Sequence, residues 1–162
     1  MDASSARGGK SGSRQDQGAA KATLSGWPLG RAIVVDDDIL VRLALADALE
    51  DHGFEALTAA DGIAGLQLLS ETILTVNALV TDAVMPGLDG VDFVRTIRTV
   101  GGESDLCVVA VTATADPLRR VALLQAGADL VLPKALGPAV ISEAVEALVL
   151  GSKQFSSSSA RL

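Results

Sequence analysis

The sequence predicts an α/β fold: a parallel sheet of five strands with helices on both faces. Three observations carry that expectation. Five short apolar runs alternate with five stretches of helical period between Gly30 and Gly151, the pattern of strand–helix–strand units. The runs are continuously apolar rather than alternating, which suits strands covered on both sides. The hydrophobic fraction is 49% with only 2% aromatic, so the core is built from Ala, Leu and Val.

The elements follow in order. Ala32-Ile33-Val34-Val35 is the first strand, ending in Asp36-Asp37-Asp38. A helix runs from Ile39 to His52, with Gly53 as its stop. Phe54 to Ala59 is a weaker strand, and Asp61 caps a helix carrying Leu66, Leu68 and Leu69. Ala78-Leu79-Val80 is the third strand, closing at Thr81-Asp82. After Met85-Pro86-Gly87 a helix carries Val91, Val94 and Ile97. Cys107 to Val111 is the most strand-like run and ends at Thr112. Asp116-Pro117 opens the next helix as cap and first-turn proline, and Gly127 closes it. Leu130 to Leu132 is the fifth strand, and Val140, Ile141, Ala144, Val145 and Leu148 mark the last helix. The small architecture of this kind is the flavodoxin-like doubly wound fold, strand order 2-1-3-4-5, whose ligands sit beyond the carboxyl ends of the strands.

Composition sets the flanks. Residues 1–29 are rich in Gly, Ser, Ala, Lys and Arg without apolar period and read as a disordered tail. Residues 152–162 read as a second, Ser-rich one. The domain, 30–151, holds seven Lys and Arg against 18 Asp and Glu, a formal charge of −11 within a chain of −7. Such acidity argues against nucleic-acid binding. One Cys and one His exclude a disulfide framework and Cys- or His-rich metal centres. The sequence shows neither a membrane-length apolar run nor a signal-peptide core, so a cytoplasmic protein with no membrane partner is expected.

Chemistry collects at the strand ends. Asp36 and Asp37 follow the first strand, Asp82 ends the third, Thr112 ends the fourth and Lys134 follows the fifth. A parallel sheet puts these ends on one edge. Three crowded carboxylates repel unless a cation joins them, and oxygen ligands without His or Cys suit Mg²⁺. A Lys and a Thr nearby add a cation and a hydroxyl donor, a set fit to stabilise a phosphoryl group in transfer. Other groups have plainer readings. Asp38 is a helix cap, and His52 favours a helix C-terminus. Cys107 is a small buried hydrophobe, and Arg119-Arg120 a solvated helix face.

The ordered set resembles the receiver domain of bacterial two-component response regulators, over about residues 30–150. The matching text is Val34 to Asp38, Thr81 to Gly90, Val111-Thr112-Ala113 and Asp129 to Lys134. The resemblance implies that Asp82 is the phosphoacceptor, with Thr112 bonding a phosphoryl oxygen and Lys134 pairing with the group. It implies Mg²⁺ on Asp37 and Asp82, with Asp36 assisting through water and Val84 contributing its backbone carbonyl. It further implies a sensor histidine kinase or histidine phosphotransfer protein as donor, and a signalling protein rather than an enzyme. The expected type is stand-alone, with output by protein contact or onward transfer. The alternative is an adaptor that works without phosphorylation. A haloacid dehalogenase-like phosphatase would need Asp-x-Asp-x-Thr, whereas Leu40 follows Ile39 here.

Three positions depart from the family. Ala135 stands where proline is common after the lysine, Pro133 precedes the lysine, and Val131 stands where many relatives carry Tyr or Phe. Pro133 is therefore expected on an edge strand, the bond from Lys134 to Ala135 to be trans, and the aromatic relay to be lacking.

Overall fold

The computed structural model describes residues 29–72, 75–101 and 105–159. The expected N-terminal tail lies outside these except at Leu29. Eleven elements alternate: β1 (Gly30–Val35), α1 (Ile39–Asp51), β2 (Phe54–Ala59), α2 (Gly62–Thr72), β3 (Val76–Asp82), α3 (Gly90–Gly101), β4 (Cys107–Thr112), α4 (Pro117–Ala126), β5 (Leu130–Pro133), a single 3-10 turn (Lys134–Leu136) and α5 (Pro138–Ser159). The strands form one sheet in the order β2-β1-β3-β4-β5, with every pair parallel. This is the flavodoxin-like doubly wound fold expected from the alternation.

Each strand faces two cores, which explains why the runs lack polar alternation. Ile33, Val35, Leu79, Val108 and Ala110 point toward α2, α3 and α4, where Leu69, Phe93, Val94, Ile97 and Leu123 meet them. Ala32, Val34, Ala78, Val80, Val109 and Val111 point the other way, onto Leu45 and Leu49 of α1 and Ile141, Val145 and Val149 of α5. Side chains on a strand alternate between faces with period two. In the central strands two buried faces therefore consume nearly every position.

The caps agree with the sequence. Asp38 accepts from the N–H groups of Leu40 and Val41 at 2.9 and 3.3 Å, opening α1. Asp116 accepts from Leu118 N–H at 2.9 Å ahead of Pro117, and Gly127 closes α4 at φ +114°. Pro133 ends β5 on the edge of the sheet, opposite Thr112. No peptide among the described residues is cis, so Lys134 and Ala135 are joined in trans.

The C-terminal boundary differs from expectation. α5 continues to Ser159, through eight of the residues assigned to a disordered tail. Ser152 shows why composition misled: its hydroxyl donates back to the Leu148 carbonyl at 3.0 Å and touches Cys107 Sγ at 3.4 Å, so the helix is still docked on the sheet there. Residues 160–162 lie outside the described residues.

Candidate functional site: an acidic pocket at the carboxyl edge of the sheet

β1 and β3 are neighbours at the centre of the sheet, and both run out at the same edge. That adjacency brings Asp36, Asp37 and Asp82 together, each offering a carboxylate oxygen within 4.8 Å of the others. Asp36 is fully buried, Asp82 nearly so, and Asp37 is exposed. One oxygen of Asp36 accepts the Asp38 N–H at 2.9 Å. The other, Oδ2, has no aligned hydrogen bond and meets only the Lys134 ammonium, 2.8 Å away. Lys134 also lies 3.3 Å from Asp82 Oδ1, which accepts the Val84 N–H at 3.2 Å.

Charge and burial oppose each other here. Burial raises the Asp82 carboxyl above its ordinary value, and the neighbouring Asp36 charge adds to this. The Val84 N–H and Lys134 offset only part of it. Burial alone would lower Lys134, but the carboxylates of Asp36 and Asp82 outweigh it and hold the ammonium charged. An under-partnered buried carboxylate oxygen beside two further carboxylates is a donor set that suits a hard divalent cation with oxygen ligands, so the residues present fit Mg²⁺.

Thr112 stands on the same edge, one residue beyond the Val111 that pairs with Asp82. Its hydroxyl donates to the Thr114 carbonyl at 3.0 Å, within its own loop. Val84, whose N–H holds Asp82 Oδ1, has a half-exposed side chain. His52 caps α1 at its C-terminus and pairs through Nδ1 with Glu146 of α5. Cys107 is buried, and burial raises its thiol.

Sequence reading missed two residues that shape the pocket. Arg42 of α1 donates to the Asp36 carbonyl at 2.7 Å. Arg119 of α4 donates to the Ala83 carbonyl at 2.9 Å and to both oxygens of Asp89 at 3.2 and 3.0 Å. Arg120 donates to the Val131 carbonyl at 2.8 Å. Arg120 is exposed, as a solvated helix face implies, whereas Arg119 is half-buried against the loop that follows Asp82. Both arginines, in the first turn of α4, reach main-chain carbonyls, and bonds of that kind leave no pattern in side-chain type.

Fold and pocket together are those of a receiver domain, and comparison with known proteins agrees. The model of the response regulator receiver domain matches residues 32–146, and the chain belongs to that family. Response regulator MprA of Mycobacterium sp. (strain KMS) is 40% identical over 104 residues, 64% of this chain and 44% of the relative. MprA of Mycobacterium ulcerans (strain Agy99) is likewise 40% identical, over 43% of its length. The chain therefore spans less than half the length of these curated relatives. A receiver domain protein from Clostridium thermocellum superposes with a TM-score of 0.70 at 26% identity, covering 77% of this chain and 98% of that one. The receiver domain of NarL from Mycobacterium tuberculosis gives 0.66 at 30% identity, covering 75% and 97%. Among the described residues no helix is long and apolar enough to cross a membrane.

Proposed function

We propose that Asp82 accepts a phosphoryl group from a phosphohistidine on a sensor kinase or histidine phosphotransfer protein. The observation that carries this reading is the meeting of Asp36, Asp37 and Asp82 within 4.8 Å under one lysine. A carboxylate oxygen of Asp82 attacks phosphorus. The phosphorus–nitrogen bond breaks, and its electron pair returns to the donor imidazole. Asp36, Asp37 and Asp82, with the Val84 carbonyl, would hold Mg²⁺. When bound, the cation supplies charge neutralisation for the phosphoryl oxygens.

The chain's own residues do the rest. Lys134 already sits between two carboxylates and moves its charge onto the incoming group. Thr112 bonds a phosphoryl oxygen after its hydroxyl leaves the Thr114 carbonyl. Asp38 is spent on capping α1, which argues against a hydrolase using Asp36-x-Asp38 as its catalytic pair. We assign the unit from β1 through α5 as the signalling unit, with output by protein contact or onward transfer.

The test is a Phos-tag gel of wild type and Asp82→Asn with Mg²⁺ and acetyl phosphate. A retarded band in wild type that vanishes in Asp82→Asn is expected. The same band in both would remove Asp82 as acceptor. No band in either would favour an adaptor that works without phosphorylation.

A further inference from the structure

The first turn of α4 carries two arginines whose heads leave the helix in different directions. Arg119 Nη1 reaches the carbonyl of Ala83, the residue directly after Asp82, at 2.9 Å. The same nitrogen lies 3.2 and 3.0 Å from the two oxygens of Asp89. Asp89 in turn accepts the Val91 N–H at 2.8 Å and so fixes the start of α3. One guanidinium nitrogen therefore closes the loop from 83 to 89 at both ends and ties it to α4. The Arg119 side chain is 29% exposed, so this contact is only partly open to water.

The loop it closes has little slack. Ala83 N–H donates to the Val111 carbonyl at 2.8 Å. At Gly90 a Cβ would stand 2.5 Å from the Asp82 carbonyl oxygen. A displacement of Ala83 is therefore felt at Asp82 and, through Arg119, at α4. Arg120 completes the path on the other side, since its Nη1 holds the carbonyl of Val131 on β5. Val131 itself is buried and aliphatic, so it offers no aromatic ring to swing.

We propose that Arg119 is a positioning residue for the acceptor and the link by which the state of Asp82 reaches α4. The proposal rests on the assignment of Asp82 as phosphoacceptor. In the free protein Arg119 sets where Ala83 places the acceptor backbone. When the acceptor is loaded, any shift of that backbone pulls directly on α4 through the guanidinium. This route needs no rotating side chain in the fifth strand.

The experiment compares wild type, Arg119→Gln, Arg119→Lys and Asp89→Asn. Folding is checked by circular dichroism and thermal melting, and loading by acetyl phosphate with Mg²⁺ on Phos-tag gels. Amide NMR shifts of α4 are then recorded with and without beryllofluoride. A folded Arg119→Gln should load roughly ten-fold more slowly, because misplacing a reacting group by a fraction of an ångström costs about that much. Its α4 amides from Leu118 to Ala122 should lose the beryllofluoride response that wild type shows. Arg119→Lys should recover both, since all three contacts are made by one nitrogen and an ammonium offers three donors. Should Arg119→Gln fail to fold, Asp89→Asn carries the test. It keeps a cap oxygen for Val91 while weakening the pair, and should show a smaller loss of both readouts.

Wild-type loading speed together with an unchanged α4 response in a folded Arg119→Gln would overturn the proposal and leave the acceptor assignment standing. A wild type that never loads would overturn both.

Discussion

Lys134 sits closer to Asp36 than to Asp82, at 2.8 Å against 3.3 Å. In the resting protein the lysine thus serves first as counter-ion to a fully buried carboxylate. Its removal leaves Asp36 and Asp82 facing each other without a cation. We expect Lys134→Ala to lower stability by about 2–3 kcal/mol in metal-free buffer, below the usual cost of breaking a fully buried pair because the pocket opens to solvent. Chemical denaturation measures this. Millimolar Mg²⁺ should raise the Lys134→Ala melting temperature by more than it raises that of wild type.

Asp37 gives the opposite sign. It is the exposed member of the cluster, so its loss relieves repulsion while removing a ligand. Mg²⁺ binds the folded state and should raise the wild-type melting temperature by mass action. In Asp37→Ala that rise should shrink. A wild-type melting temperature indifferent to Mg²⁺ would tell against a metal at this pocket.

Burial, reinforced by Asp36, raises Asp82 above its ordinary value in the folded chain. Between the unfolded and folded values the native state then holds more protons than the unfolded state. Stability attributable to Asp82 therefore falls as pH rises through that window, which begins near 3.8. Asp82→Asn is fixed in the uncharged form. Without metal it should be more stable than wild type at pH 7, and the gap should narrow as the pH approaches 4. Melting curves across that range check it, and a gap that widens in acid would contradict the placement of Asp82.

Gly90 opens α3, where replacing glycine by alanine ordinarily stabilises a helix by up to about 1 kcal/mol. Here an alanine Cβ would meet the carbonyl oxygens of Asp82 and Ala83 at 2.5 and 2.8 Å, both backbone atoms. The sign should reverse, with Gly90→Ala destabilising by about 1–3 kcal/mol and slowing acceptance at Asp82. Denaturation midpoints and Phos-tag time courses read the two effects.

The sheet was legible because both of its faces are buried. Runs such as Ala32 to Val35 and Cys107 to Val111 admit no polar position, and their ends mark where the chain reaches solvent. The residues brought together at those ends could be named for the same reason. What escaped was of two kinds. The end of α5 was hidden because serine favours loops by composition, yet Ser152 satisfies itself against Leu148. Arg42 was hidden because it grips the main chain of Asp36, and any residue supplies a carbonyl, while Arg119 grips the Ala83 carbonyl and a carboxylate, Asp89, that lies 30 residues away in sequence. Charge pairing along the sequence cannot reveal a partner that has no side-chain identity.

The strand order places the acids at the centre of the sheet and the lysine at its edge. Asp36 and Asp82 end β1 and β3, each hydrogen-bonded on two sides, whereas Lys134 follows β5, which has a neighbour on one side only. Edges of a sheet open before its centre. Fraying at β5 would carry the lysine away while both carboxylates stay in register. The pocket thus has its negative frame on doubly paired strands and its positive latch on an edge strand, the same strand that Arg120 fastens to α4.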